Sequence, residues 1–291
     1  MNDAALKIRE LRKSFGHFDL GPVDLTVPTG AMYGLIGPNG AGKTTTIDLV
    51  MGMGGKDGGT IEVFGLDHLR DEVAVKKQVG YVSPDLNFNA WGRVDRAVKF
   101  IRSFYEDWDD AYCAALMNRL RLGWDERIST LSFGARTKLG LVLALSHRPA
   151  LLLLDEPLAG LDAVSKQDIF RELLEAVQDE TRTVLISSHN LDDIERFTDH
   201  VGIIDNGKML VEGPTAGLLE RFRLVDCMAN DGARPECMPG IRIQQHDGQR
   251  WRLLVDTQTD ALERLRERGM TGITESPMSL EELFVALVRR D

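Results

Sequence analysis

The sequence predicts an α/β protein built on a mainly parallel sheet with helices on both faces. Three observations carry this. LLLLD (151–155) and TVLISS (183–188) are apolar almost without interruption, the pattern of strands buried on both faces. Strand-like and helix-like segments alternate through residues 31–188, as parallel sheets require. GPNGAGKT (37–44) is a Gly-rich loop set between an apolar strand and a helix-forming run.

Taken in order, residues 4–30 alternate in places (Leu6 and Ile8, then Val23, Leu25 and Val27) and predict two strands. AMYGLI (31–36) predicts a buried strand, 37–43 a loop and 44–53 a helix. Gly58 and Gly59 turn into the strand TIEVFG, and QVGYVS (78–83) is a further strand. Residues 86–125 predict mostly helix, with Phe88, Trp91, Phe100, Phe104, Tyr105, Trp108, Tyr112 and Trp124 expected to pack mainly in a core. Helix follows at 135–147, and Asp162 is placed to cap another from about 163 to 179. VGIIDNGKMLVEG (201–213) predicts a hairpin turning at Asn206 and Gly207.

The character changes near residue 222, and no Lys occurs after Lys208. A hairpin is predicted at 241–256, turning at Asp247 and Gly248, then a helix at 259–268 ended by Gly269. A last helix starts at Ser279, which has capping-box spacing with Glu282. Leu280, Leu283, Phe284, Leu287 and Val288 form its apolar stripe. The expected division is a main domain at 1–221, with a helical part at about 86–147, and an accessory α/β domain at 222–291.

A chain of 291 residues leaves room for such a second domain. Its formal charge of −10 argues against sequence-independent nucleic-acid binding, which relies on Lys and Arg at phosphates, so no nucleic-acid partner is expected. Cys113, Cys227 and Cys237 are widely spaced without a C-x-x-C and read as buried free thiols of a reducing cytosol. MNDAALKIRELRK lacks the apolar core of a signal peptide, and no apolar run approaches the roughly 20 residues that span a bilayer. If the protein works at a membrane, another chain is expected to cross it.

GPNGAGKT fits G-x-x-x-x-G-K-[ST] at every fixed position, in the strand–loop–helix context the motif needs. Gly37, Asn39, Gly40, Ala41 and Gly42 place backbone N–H groups at a helix N-terminus, where they can face phosphate oxygens, and Pro38, which has no N–H, belongs to the same nucleotide-binding loop. Lys43 is expected to pair with the β- and γ-phosphates, and Thr44 to bind Mg²⁺ through its hydroxyl; Thr45 belongs to the same loop. The strand at 151–154 delivers Asp155 toward Mg²⁺. Glu156 beside it suits a general base that polarises the attacking water. His189 ends a buried strand, where ligands sit in open α/β sheets.

With these motifs in this order, the sequence resembles the ATP-binding subunits of ABC transporters over about residues 4–220. The correspondence runs through the Walker A loop (37–45), the Q-loop region near 82–86, the signature LSFGA (131–135), the Walker B strand (151–156), the D-loop AGLD (159–162) and the switch His189. The resemblance implies a RecA-like P-loop NTPase core with an antiparallel β part and a helical subdomain. It implies ATP and Mg²⁺ as ligands. It also implies head-to-tail pairing, each ATP lying between one Walker A and the other chain's signature. Phe15, in KSFG, matches the aromatic that stacks on adenine; Ser132 and Gly134 match groups that bind the partner's γ-phosphate; Asp162 is placed with the nucleotide-binding residues.

Three positions depart from the family pattern. Phe133 and Ala135 replace a Gly and a Gln of the signature, and Phe133 is harmless only if its backbone avoids positive φ. Asp85 stands where the Q-loop Gln is expected and is assigned to the metal side. Arg136 and Lys138, just beyond the signature, read as solvated charges.

The function implied is ATP binding and hydrolysis that energise a separate membrane permease from the inner, cytoplasmic face of the membrane. SPMSLEELFVALVRR resembles the ending of ABC-2-type exporters, which favours export. The second ATPase subunit is expected to be another copy of this chain, with a heterodimer as the alternative. A soluble non-transport ABC ATPase, as in Fe–S assembly, and a regulatory half of a heterodimer are the rival readings.

Overall fold

The structure, a computed structural model, describes residues 4–177, 182–191, 194–195, 197–229 and 238–288. It divides into two compact units, Met1–Val211 and Glu212–Asp291, a boundary ten residues before the 221/222 division expected from composition.

The first unit opens with β1 (Ala4–Ser14), β2 (Asp19–Pro28), β3 (Met32–Ile36), α1 (Lys43–Val50), β4 (Gly58–Val63) and β5 (Leu66–Asp67). Then come α2 (Glu72–Gln78), β6 (Val79–Val82), α3 (Val94–Arg102), α4 (Asp110–Arg119), α5 (Phe133–Leu145), β7 (Leu151–Leu154) and α6 (Ala163–Val177). β8 (Thr183–Ser188) and β9 (His200–Asp205) follow, and the unit boundary falls inside β10 (Lys208–Pro214). One sheet has the order β2-β1-β4-β5, and its pairs are antiparallel. The other has the order β10-β9-β3-β8-β7-β6, with parallel pairing from β9 through to β6.

All four leucines of β7 are buried, as its unbroken apolar run requires, and Leu151 and Leu153 join Leu35, Ile47, Val50, Leu185 and Ile204 in the core. Burial of each such side chain contributes roughly 1.5–3 kcal/mol. This core fixes the ends of β3, β7 and β8 side by side, and the candidate site grows from those ends. Asn206 and Gly207 have φ of 47° and 74°, the left-handed pair that a two-residue hairpin turn needs. Gly80 of β6 lets α5 come close: a Cβ there would lie 2.6 Å from the Ala144 carbonyl oxygen.

Residues 86–125 are less helical than expected: a short 3₁₀ turn at Asn89–Trp91 precedes α3, and a loop at 103–109 separates α3 from α4. The aromatics also differ from expectation, since Trp108 alone among the eight is buried. Phe88, Trp91, Phe100 and Phe104 form a ladder instead, with successive ring centroids 5.9, 5.1 and 5.1 Å apart. Its far members, Phe100 and Phe104, are 44% and 60% exposed. Only Phe100 of the four lies in an α-helix, and the ladder is built by the segments that flank α3. Lys138 is no solvated charge: it pairs with Asp168 at 2.9 Å and ties α5 to α6. Arg119 of α4 holds the buried Glu172 of α6 through two hydrogen bonds of 2.9 and 2.6 Å.

The second unit contains α7 (Thr215–Arg221), β11 (Phe222–Ala229), β12 (Ile241–Asp247), β13 (Arg250–Asp256), α8 (Ala261–Glu267), β14 (Met270–Ser276) and α9 (Leu280–Val288). Its antiparallel sheet has the order β12-β13-β11-β14. Asp247 pairs with Arg250, so the hairpin turns at Gly248 and Gln249, one residue later than expected. The Ser279 capping box forms reciprocally, with N–H to side-chain bonds of 2.9 and 3.1 Å. Leu280, Leu283 and Leu287 are buried, while Phe284 and Val288 are partly so. Cys113 and Cys227 are buried free thiols; Cys237 lies outside the described residues.

Candidate active site

The Gly-rich loop joins β3 to α1. Gly40 and Gly42 have φ of 79° and 109°, and a Cβ on Gly42 would meet Leu20 Cδ1 at 2.7 Å. Only glycine fits that position. Lys43 is 5% exposed; its ammonium donates to the carbonyls of Gly37 and Pro38 at 2.7 and 3.1 Å. The same nitrogen lies 3.1 Å from Glu156 Oε1.

Asp155 and Glu156 follow β7. Thr44 Oγ1 donates to Asp155 Oδ2 at 2.8 Å, bringing two of the three expected metal-side groups together. Ser187 Oγ donates to Asp155 Oδ1 at 2.6 Å and accepts from the Glu156 backbone N–H at 2.9 Å. Glu156 has φ of 45°, an uncommon conformation for a side-chain-bearing residue, of the kind that clusters at functional sites. His189 Nδ1 is 2.8 Å from Glu156 Oε2. Lys43, Thr44, Asp155, Glu156 and His189, far apart in sequence, thus form one connected group.

Burial raises the pKa of Asp155, the bonds from Ser187 and Thr44 hold it back, and the neighbouring Glu156 charge pushes it further up. Asp48 on α1 is also raised, chiefly by burial, while a hydrogen bond from Tyr81 at 3.1 Å opposes the rise. Burial likewise raises the Tyr81 phenol. Thr44 and Asp155 offer two hard oxygen ligands, a set suited to Mg²⁺ completed by phosphates and water.

A cavity of about 600 Å³ lies over the loop, lined by Phe15, His17, Phe18, residues 39–45 and Glu156. Phe15 stands at its mouth, 47% exposed, with the Lys13 ammonium 5.6 Å from its ring centre. Ser132, Gly134, Asp162 and Asp85 do not line it. Ser132 caps α5, its Oγ accepting from the Ala135 N–H at 3.1 Å. The helix begins two residues earlier than expected, so Phe133 has helical backbone and carries no positive-φ strain. Asp162 caps α6 as expected, accepting from Ser165 N–H at 2.9 Å, a bond that lowers its pKa. Asp85 is exposed and lines a separate cavity of about 240 Å³ with Phe133, Arg136 and Thr137.

Sequence reasoning missed Ser187, His17, Phe18 and the Asp48–Tyr81 pair. A signal existed for Ser187: a hydroxyl in a strand buried on both faces must find partners. Nothing local marks the others, because their place depends on which strands become neighbours.

A parallel sheet with a Gly-rich phosphate loop between β3 and α1 defines the chain as a P-loop NTPase. Residues 20–159 match the ABC transporter family model. The chain is 30% identical over 287 residues to the ABC transporter ATP-binding protein YtrB of Bacillus subtilis, covering 97% of each. It is 28% identical over 303 residues to the Nod factor export ATP-binding protein I of Paraburkholderia xenovorans, covering 100% of this chain and 99% of that one. Among solved structures, it is similar to a dimeric post-hydrolysis state of the ATP-binding cassette MJ0796 bound to ADP and Pi. That likeness has a TM-score of 0.64 at 18% identity and covers 72% of this chain and 98% of the other. The chain belongs to the ABC transporter family as an ATP-binding subunit, which binds and hydrolyses ATP to energise transport through a separate permease. Among the described residues, no helix is long and apolar enough to cross a membrane.

Proposed function

We propose that two copies of this chain close head to tail on two ATP molecules and drive an export permease from the cytoplasmic face of the membrane. The observation that carries the pairing is the composition of the 600 Å³ cavity: it holds the Walker A loop, Phe15 and Glu156, and none of residues 131–135. A signature that reads phosphate must therefore meet the loop of another chain. That MJ0796, similar in fold, is dimeric supports pairing, and the Nod factor relative's name favours export.

In this reading Phe15 stacks on adenine, the loop N–H groups hold the phosphates, and Lys43 neutralises the β- and γ-phosphates. Thr44 and Asp155 would hold Mg²⁺, which supplies charge neutralisation at the phosphates. Glu156 takes the proton of the attacking water, oriented by His189. Ser132, Gly134 and the N-terminus of α5 serve the partner's γ-phosphate, with Asp162 nearby on the D-loop. Asp85 acts on the metal side only through water, in keeping with its exposed place.

Size-exclusion chromatography of Glu156→Gln protein with and without Mg-ATP tests this. A shift from monomer to dimer only with ATP is expected. A monomer that binds ATP under all conditions would overturn the two-copy reading and direct the search to a different ATPase partner.

A further inference from the structure

We infer that Ser187 is a positioning residue for ATP hydrolysis, holding Asp155 and Glu156 in their working geometry; this rests on the roles given to those two acids above. β8 lies between β3 and β7, and Leu154 pairs with Ile186, so the next residue on each strand brings Ser187 opposite Asp155. Ser187 is fully buried.

Its single hydroxyl serves both acids. It donates to Asp155 Oδ1 at 2.6 Å, which leaves Oδ2 turned to Thr44 at 2.8 Å. It accepts from the Glu156 backbone N–H at 2.9 Å. That second bond grips the peptide of a residue held at φ 45°. A left-handed non-glycine conformation persists only where its surroundings over-determine it. Without the bond, Glu156 is free to relax and to carry its carboxylate away from Lys43 and His189. A hydroxyl suits the double task because it donates and accepts at once. The adjacent Ser188 does not share it: its Oγ accepts from Asn190 N–H at 2.9 Å and donates to the Asn190 carbonyl at 3.0 Å.

The test is steady-state ATPase kinetics of the full chain, comparing wild type, S187A, S187C and E156Q, with thermal melting of each. S187A is expected to lower kcat by about ten- to a hundred-fold while KM for ATP stays within about two-fold. S187C keeps the side-chain volume but offers only a weak donor, so it should track S187A rather than wild type. Wild-type kcat in S187A, or in S187C alone, would overturn the proposal, the latter by showing that volume matters and the hydrogen bonds do not. A raised KM at unchanged kcat would overturn it too, since that marks a binding role. E156Q separates the two levels: if it hydrolyses ATP at the wild-type rate, the reading of the acid pair has failed, whatever Ser187 does.

Discussion

Lys43 Nζ lies 3.1 Å from Glu156 Oε1, and His189 Nδ1 lies 2.8 Å from the other oxygen of that carboxylate. One acid thus bridges the phosphate-binding ammonium and the switch histidine. Lys43 is 5% exposed, so in this arrangement the carboxylate occupies a direction from which a phosphate would approach the ammonium.

Two substitutions should move ATP affinity in opposite directions. Lys43→Ala removes the buried cation and should weaken ATP binding by more than about a hundred-fold. Glu156→Gln frees the ammonium from its competing carboxylate and should tighten binding by roughly ten-fold. Equilibrium titration with a fluorescent ATP analogue in EDTA, where hydrolysis is suppressed, reads both. Equal affinity of wild type and Glu156→Gln would show that the Lys43–Glu156 contact does not compete with phosphate.

Phe133→Gly should not improve the signature. Phe133 is the first residue of α5 with helical backbone, so glycine relieves no strain there. It should instead weaken the start of the helix by roughly 0.5–1 kcal/mol. Denaturant unfolding gives that loss, and sedimentation of the Glu156→Gln background with ATP should show dimerisation no tighter than before.

Arg119→Ala should destabilise the first unit. Glu172 is 1% exposed and keeps a double hydrogen bond to Arg119, whose side chain is about a third exposed. Removing the cation leaves a buried carboxylate short of its partner, at a cost of roughly 2–3 kcal/mol after allowing for solvent at the arginine. The urea midpoint should fall accordingly. The double variant Arg119→Ala/Glu172→Leu should recover most of the loss, because it removes the stranded charge.

Stability should decline on mild acidification because of His147. The residue is buried against Tyr105, with ring centroids 3.9 Å apart, and burial lowers its pKa from 6.5 to about 4. Backbone groups of Val79 and Leu143 offset only part of this. Between those two values the unfolded chain takes a proton that the folded chain refuses. Stability is therefore intact above about pH 6.5, falls as pH drops toward about 4, and gains no further dependence from this group below that. The full span is worth roughly 3 kcal/mol. His147→Phe, which keeps a ring on Tyr105, should flatten this segment of the urea midpoint against pH.

The sequence by itself determined the parts of this protein whose physics is local. A phosphate loop needs glycines at fixed offsets, a doubly buried strand must be apolar throughout, and a helix start needs a cap. Residues 37–44, β3, β7, β8, the Asn206 turn and the Ser279 capping box were therefore all legible. Edge strand β14 was not, since most of MTGITES faces solvent and shows no apolar alternation; its pairing with β11 makes it a strand. The aromatic ladder was not legible either: Phe88, Trp91 and Phe104 lie outside α3, and only the fold brings them to Phe100.

Only the tertiary structure decided which distant residues meet. Ser187 reads as one more residue of a buried strand until β8 is set beside β7, which turns it into the link between Asp155 and Glu156. Phe133 reads as a flaw in the signature until α5 is seen to begin there, capped by Ser132. Asp85 keeps its place after β6, but that its side chain lies in the open, lining a cavity with Phe133 and Arg136, was decided by the fold. Register and strand order are settled by the packing of the whole core, and no window of sequence contains them.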